Sequence, residues 1–136
     1  MRVADASTLW IPDWPGNNRL DSMSNLVVSG RIGLLFLIPG VDETLRVNGS
    51  ARLSADPGLL EHFQSAHRPP GIVIEVGVEE AYLHCAKALM RSRLWSDEAR
   101  IERTALPTIG RMLSDQIGTP VAETQEQMVE RYKKDL

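Results

Sequence analysis

The sequence predicts a small, mainly β domain with peripheral helices (an α+β fold), in which antiparallel strands form a barrel or roll. Three stretches in the middle of the chain carry this prediction. Ile32–Ile38 is a continuous apolar run, typical of a strand buried on both faces. Thr44–Leu53 alternates apolar and polar side chains, as a half-exposed strand does, and Ile72–Val78 places isoleucine and valine at alternate positions. Because Pro39-Gly40 predicts a turn, the first two stretches are expected to form a hairpin.

Shorter elements precede this hairpin. Thr8–Ile11 has β-prone side chains and is expected to stop at Pro12, which cannot donate to a strand ladder. A helix is predicted from Asp21 or Ser22, both good N-cap residues, through about Val28. Gly30 is expected to end it.

Short helices are predicted at the connections between strands and at the end of the chain. Glu79–Ala86 is expected to continue the third strand past a bend, whereas Leu89–Trp95 is compatible with helix or loop. The predicted helices are a short one that begins at Ser54 or Asp56 and ends by His67, one over Pro107–Ile117, and a charged terminal one over Val121–Leu136. Residues 1–136 are therefore expected to form a single domain with a C-terminal helical extension over about residues 107–136.

Composition narrows the class of protein. The 136 residues carry a net charge of −3, which provides no basic surface for nucleic acid. A single cysteine cannot form an internal disulfide, which fits a reducing compartment. The longest apolar run is of strand length, far short of the roughly 20 residues that span a bilayer. We therefore expect a cytoplasmic protein with neither a membrane nor a nucleic-acid partner.

Two consecutive segments resemble a known family. Arg31–Pro39 (RIGLLFLIP) and Asp42–Ser54 (DETLRVNGSARLS) are similar to the central hairpin of pyridoxamine 5′-phosphate oxidases. The order of a polar loop, a short helix, a "VxLLF" strand, a "RxVxxxGxAxxLS" strand and a second helix with a proline-containing loop matches that family over about residues 8–78. Pro15–Asp21 and Ala81–Trp95 resemble bacterial flavin-binding relatives of the oxidases.

The resemblance implies an antiparallel split β-barrel of the FMN-binding type. In the relatives, two more strands precede the equivalent of Thr8, so the chain is expected to be N-terminally truncated. The family binds flavin mononucleotide (FMN) at the two-fold interface of a homodimer, with both subunits contributing to each site. This implies a flavin-dependent oxidoreductase acting on an unknown small molecule. Pyridoxamine phosphate is disfavoured because the oxidase's C-terminal substrate-binding segment has no counterpart here, and deazaflavin or haem in place of FMN stays open.

Several polar residues occupy positions that the resemblance assigns to the cofactor. Arg19 corresponds to a basic phosphate contact, and Thr44 to a polar residue that reaches the flavin ring from the second subunit. The alternatives are a solvated loop arginine and an ordinary strand threonine. The basic cluster that precedes Trp95 suits an anion if the segment is extended, and is otherwise a charged rim. The candidate cofactor-binding residues are Asn17, Asn18, Arg19, Thr44, Arg46, Lys87, Arg91 and Arg93.

His84-Cys85 suggests thiol or metal chemistry, but the pattern disfavours both. Adjacent strand residues point to opposite faces, so this pair cannot act as nucleophile and base. The other histidines, His62 and His67, lie on a separate predicted helix, and one cysteine provides no zinc-ligand spacing. We expect Cys85 to be a buried structural residue and predict no metal site.

Two further interpretations remain open. The chain could be a non-catalytic split-barrel remnant or binding module that has lost flavin, in line with the missing strands. It could also be an interaction protein whose terminal helix, Val121–Leu136, docks a partner. No convincing general acid or base appears in the sequence, so no catalytic residue is assigned.

Overall fold

A computed structural model describes residues 1–63 and 69–133. In this part of the chain, five strands form one antiparallel sheet in the order β1-β2-β5-β4-β3. The strands are β1 (Arg2–Asp5), β2 (Thr8–Asp13), β3 (Arg31–Phe36), β4 (Thr44–Ser54) and β5 (Ile72–His84). The helices are α1 (Asp21–Ser29), α2 (Pro57–Glu61), α3 (Lys87–Ser92), α4 (Ile109–Ile117) and α5 (Gln125–Lys133). The predicted antiparallel α+β architecture is confirmed, and the sheet is not closed.

The chain divides into two compact units. Met1–Trp95 contains the whole sheet with α1 to α3, and Ser96–Leu136 contains α4 and α5. Single turns of 3₁₀-helix at Asp97–Ala99 and Arg103–Ala105 precede α4. None of the described helices is long and apolar enough to cross a membrane. A single domain over residues 1–136 stays a prediction, and the predicted helix end at His67 lies outside the described residues.

The predicted hairpin and the helix before it are confirmed. β3 and β4 pair in the register that sets Arg31 opposite Ser50 and Phe36 opposite Leu45. α1 ends at Gly30, whose φ of 63° is a left-handed value that glycine adopts without strain. α1 packs against β4, which leaves Leu26 only 5% exposed. The helix therefore covers one face of the sheet next to the hairpin.

The core lies along β5 at the centre of the sheet. Val73 and Val76 are completely buried, and Val47 on the neighbouring β4 is 4% exposed. Residues three apart on a strand point to opposite faces, so the two valines of β5 bury opposite faces of the sheet. β5 is also the longest of the described strands, with 13 residues, and its pairing with β4 shifts register between Asn48 and Gly49. It therefore connects the two ends of the sheet on which the polar residues of interest lie.

The prediction that Ile32–Ile38 is buried on both faces is wrong. The strand ends at Phe36, and its side chains alternate between exposed and half-buried. Leu35, Leu37 and Ile38 are 51%, 51% and 50% exposed. Among the described strands, β3 is an edge strand that pairs with β4 alone, and the side chains on one of its faces are exposed within this unit. A continuous apolar run shows that the side chains on both faces of the strand are apolar, but it does not show whether other residues pack against them.

The start of the sheet also differs from the prediction. The polar residues Arg2–Asp5 form β1, and β2 continues through Pro12 instead of stopping there. Proline is tolerated because β1 reaches along β2 only as far as Trp10, which pairs with Arg2. Beyond Trp10, one edge of β2 is free, so a residue without an N–H costs no ladder hydrogen bond on that side.

Candidate functional site

A groove of about 350 Å³ lies beside the loop that joins β2 to α1. The loop is shaped by local hydrogen bonding: the Asn17 side chain accepts from the backbone N–H of Arg19 at 3.0 Å, and Asn18 adopts a left-handed φ of 59°. The groove walls combine apolar and polar side chains. They include Trp14, Leu20, Met23 and Ile72 together with Asn17, Asn18 and Arg19.

Arg19 is not an unpaired cation. Its Nη2 donates to Asp21 Oδ2 at 2.8 Å, and the two side chains are 76% and 72% exposed. Exposed ion pairs of this kind are worth about 0–1 kcal/mol, so an anion in the groove can compete with Asp21 at small cost. The loop therefore offers a phosphate one arginine fork and nearby side-chain amides, with one carboxylate as a competitor.

Thr44 lies where β4 begins and β5 ends. It faces His84 across the two strands and is 9% exposed, which makes it the buried polar residue of the described chain. Its hydroxyl makes no hydrogen bond to the described residues. The hydroxyl oxygen is not among the fully buried side-chain atoms that lack a hydrogen-bond partner in the described chain, so it can reach a ligand without a cost that the ligand must offset.

Arg46 lies one row further along β4, opposite Tyr82. Its Nε donates to His84 Nε2 at 3.1 Å, and the His84 ring lies 5.3 Å from the Tyr82 ring. Arg46 makes no ion pair with a carboxylate in the described part of the chain. A half-buried guanidinium with a histidine in place of an acid keeps its full charge available for an anion.

α3 follows directly after this end of the sheet. Lys87 and Arg91 are four residues apart on the helix and so share a face, and neither pairs with a described carboxylate. Arg93 adopts a left-handed φ of 50° just after the helix. Because the segment is helical, the extended arrangement that would set Arg91 beside Arg93 does not form. Trp95 Nε1 donates to the Val41 carbonyl at 2.8 Å, which ties the end of α3 to the β3–β4 turn.

The candidate residues thus form two clusters, one at each end of β5. Ile72, the first residue of β5, lines the groove of Arg19, and His84, the last, faces Thr44. Twelve steps along a strand span roughly 40 Å. Within one chain, the structure brings Asn17 to Arg19 together, and separately Thr44 and Arg46, whereas Lys87, Arg91 and Arg93 follow β5 in the chain without a described contact to either group. The two clusters of one chain therefore lie at opposite ends of β5.

Cys85 is exposed, so its prediction as a buried residue is wrong. β5 ends at His84, and the side chain that follows lies beyond the sheet that would have covered it. Its sulfur accepts a hydrogen bond from the Lys87 N–H at 3.4 Å. Among the residues that the structure describes, no three His, Cys, Asp or Glu side chains cluster in a way that could hold a metal ion.

The sequence analysis missed two residues that the geometry brings into these clusters. Asp21 was treated only as a helix start, although its position two residues from Arg19 could have indicated a pair. His84 was weighed only as a thiol partner or a metal ligand. Its contact with Arg46 depends on the β4–β5 register, which includes a bulge between Asn48 and Gly49 that the alternation of side chains does not predict.

Comparisons with known proteins agree with this architecture. A family model described as Pyridoxamine 5'-phosphate oxidase matches residues 1–85, a range that includes all five strands described above. The crystal structure of HupZ from Group A Streptococcus aligns with a TM-score of 0.50 and 20% identity, covering 61% of this chain and 67% of HupZ.

A histidine-to-alanine variant of HupZ gives a TM-score of 0.51 and 20% identity over 62% of this chain and 72% of the variant. At this identity the likeness shows a common fold. No curated protein sequence matches significantly. The family match covers more than half of the chain, and the open antiparallel sheet with its helices corresponds to the split barrel of that family. The chain belongs to the pyridoxamine 5′-phosphate oxidase family.

Proposed function

We propose that the protein binds FMN and uses it for redox chemistry on a small molecule. The observation that carries this proposal is the groove beside Arg19, where an apolar wall and a polar loop lie next to each other. FMN needs this combination, because its isoalloxazine ring is apolar and its phosphate is a dianion. The volume of about 350 Å³ is at the lower end of small-molecule pockets, which suits one part of FMN rather than all of it.

Different residues of the groove would bind different parts of FMN. Arg19 would hold the phosphate after release from Asp21, and the side chains of Asn17 and Asn18 would supply further hydrogen bonds. The apolar residues of the groove, Trp14 among them, would exclude water from the cofactor. FMN itself supplies the hydride or electron transfer when bound, and the protein supplies position and electrostatics.

The second half of the site would come from a second copy of the chain. Thr44, Arg46 and the cations Lys87, Arg91 and Arg93 lie at the far end of β5 from Arg19, so they can reach the same FMN only across a dimer interface. The same end of the sheet exposes large apolar side chains, which a second copy would bury. These are Leu35, Leu37, Ile38, Leu83, Met90 and Leu94.

The test is the cofactor content of the purified protein. Absorbance in the flavin bands and mass spectrometry of the released small molecule should identify FMN, as opposed to a deazaflavin or haem. Arg19→Ala should weaken FMN binding about 10- to 100-fold, because a hydrogen bond to a charged group contributes about 1.5–3 kcal/mol. Arg31→Ala is the matched control, since Arg31 is an exposed arginine paired with Glu79 at 2.8 Å.

The dimer is tested by mixing two defective chains. Arg19→Ala and Thr44→Val chains should each bind FMN weakly, whereas dimers that contain one of each should regain one intact site. Full FMN occupancy in Arg19→Ala, or no recovery in the mixture, would contradict the arrangement. A protein that neither carries nor binds any flavin would favour the alternative, a non-catalytic split-barrel protein or interaction module.

A further inference from the structure

A second groove, of about 320 Å³, lies midway along β5. Its floor is Gly77, which pairs with Thr8 of β2 on one side and with Ser50 of β4 on the other. Because glycine has no side chain, space is left between these two hydroxyl-bearing neighbours. Glu75 lies two residues before Gly77 and so on the same face of the sheet, where it lines the groove together with Arg52.

The two hydroxyl groups present oxygen atoms to this space. Ser50 Oγ leans over the floor, since a Cβ built on Gly77 would lie 2.9 Å from it. Hydrogen bonds from the Ser7 N–H, at 2.8 Å, and from the Thr8 hydroxyl hold the pKa of the Asp5 carboxyl below its ordinary value. A hydroxyl has one hydrogen, so Thr8, whose hydrogen is donated to Asp5, can offer a ligand only the lone pairs of Oγ1.

Glu75 supplies a carboxylate that is mostly buried and little compensated. Its side chain is 16% exposed, and Oε1 is buried without a hydrogen bond from the described residues. Arg52 Nη2 lies 2.9 Å from this oxygen without the alignment of a hydrogen bond, and the Arg52 side chain is 77% exposed. Water solvates so exposed a guanidinium, which makes the ion pair weak, so a ligand can displace Arg52 at small cost.

We propose that this groove binds a small molecule through a primary ammonium group. An ammonium is a compact cation with three donors and no acceptor. Three acceptors surround Gly77, namely the carboxylate of Glu75 and the oxygens of Thr8 and Ser50, so donors and acceptors match in number. The charge matches too, because Asp5 adds a second carboxylate next to Thr8. The volume is at the lower end of small-molecule pockets, which suits a small amine.

The experiment compares two cations on the full chain. Methylammonium has three N–H donors, whereas tetramethylammonium has the same charge and none. Binding is followed by NMR titration of the backbone amides at pH 7 and constant ionic strength. We expect methylammonium to shift the amides of Gly77 and its neighbours on β2 and β4 to saturation, and tetramethylammonium to bind at least about tenfold more weakly. Tighter binding of tetramethylammonium, of the neutral polyol glycerol or of the anion acetate would overturn the proposal.

Two substitutions remove acceptors from the groove. Glu75→Gln deletes the charge at nearly the same size and should weaken methylammonium binding at least about tenfold, whereas Ser50→Ala, at an exposed position, should weaken it about fivefold. Glu79→Gln is the matched control, because Glu79 is a carboxylate of the same strand that is paired with Arg31 at 2.8 Å and does not line the groove. It should change the affinity less than about twofold.

Arg52→Gln should have an effect of the opposite sign. Because Arg52 competes with the ammonium for Glu75, its removal should strengthen methylammonium binding about two- to fivefold, which a damaged fold could not do. Weaker binding in Arg52→Gln would show that the arginine holds the ligand, and unchanged binding in Glu75→Gln would show that the amine binds elsewhere. Either result would overturn the proposal.

The outcome is independent of the cofactor test, because no residue of this groove belongs to the proposed FMN site. Flavin content is measured on the same samples. Flavin-free protein that binds methylammonium as described would refute the proposed function and leave the amine site intact. Flavin-containing protein that does not bind methylammonium would refute the amine site and leave the proposed function intact.

Discussion

At Gly49 the backbone of β5 lies so close to β4 that replacing the glycine with alanine should disrupt the pairing of the two strands. A Cβ at this position would overlap the carbonyl oxygen of Gly77 and lie 3.0 Å from its carbonyl carbon and 3.3 Å from Glu79 N. These are backbone atoms of the central strand, so no side-chain rotation can relieve the contact. The neighbouring bulge between Asn48 and Gly49 shows that the register is already adjusted here.

The cost can be worked from this geometry. Non-bonded carbon atoms pack at about 3.5–4.0 Å, so the strands must open by on the order of 1 Å. That displacement weakens one or two ladder hydrogen bonds near the buried core, and leaving such groups unsatisfied costs about 1–3 kcal/mol each. We expect a loss of about 3 kcal/mol in the free energy of unfolding for Gly49→Ala. For a unit of this size that corresponds to a fall in Tm of about 12–24 °C.

The assay is thermal unfolding followed by circular dichroism, with Gly33→Ala as the control. A Cβ at Gly33 on the edge strand β3 would meet only the side-chain oxygen of Asn48, at 3.3 Å, and that side chain can move. The control should stay within about 1 kcal/mol of the wild type. If both variants melt within a few degrees of each other, the close approach of β4 and β5 is not a constraint and the reasoning fails.

Two further predictions concern the core and the helical unit. Val76→Ala empties space at a completely buried position and should cost about 2 kcal/mol in chemical denaturation, whereas Val28→Ala, at a position 88% exposed, should stay within about 0.5 kcal/mol. In the second unit, hydrogen bonds from Arg131 at 2.8 and 2.9 Å hold the pKa of Glu123 below its ordinary 4.5. A lowered carboxyl pKa stabilises the fold above the unfolded value and loses this contribution as the pH falls through the folded one. Helicity by circular dichroism should therefore decrease below pH 4.5, and Glu123→Gln should show a smaller decrease.

The sequence predicted most of the helices and strands, but it did not predict which residues pack around them. Alternation located β4 and β5, and Gly30 located the end of α1, because both signals are local. The predicted N-cap role of Asp21 or Ser22 is wrong, since Leu20 is at the N-cap and α1 begins with Asp21. The burial of β3 could not be predicted, since it depends on the order of strands in the sheet rather than on the side chains of Ile32–Ile38. The contact between Arg46 and His84 could not be predicted either, because the two residues are 38 apart in sequence and are brought together by the register of β4 and β5. Pro12 is a further example. Proline is tolerated within β2 because β1 is too short to pair with β2 at that position, and the sequence around Pro12 does not show the length of β1.

The distribution of charge supports a ligand role for the far end of β5 more strongly than any single residue does. The chain carries a net charge of −3, so carboxylates are abundant, and Arg31, Arg52 and Arg111 each lie within 3.0 Å of one. Arg46 and the α3 pair of Lys87 and Arg91 have no such partner in the described residues. Arginine and lysine side chains without a carboxylate partner keep their charge available for an anionic ligand. An anion at this end of the sheet would neutralise part of that charge, and the groove of Arg19, at the opposite end of β5, could share such a ligand with the same end of another chain.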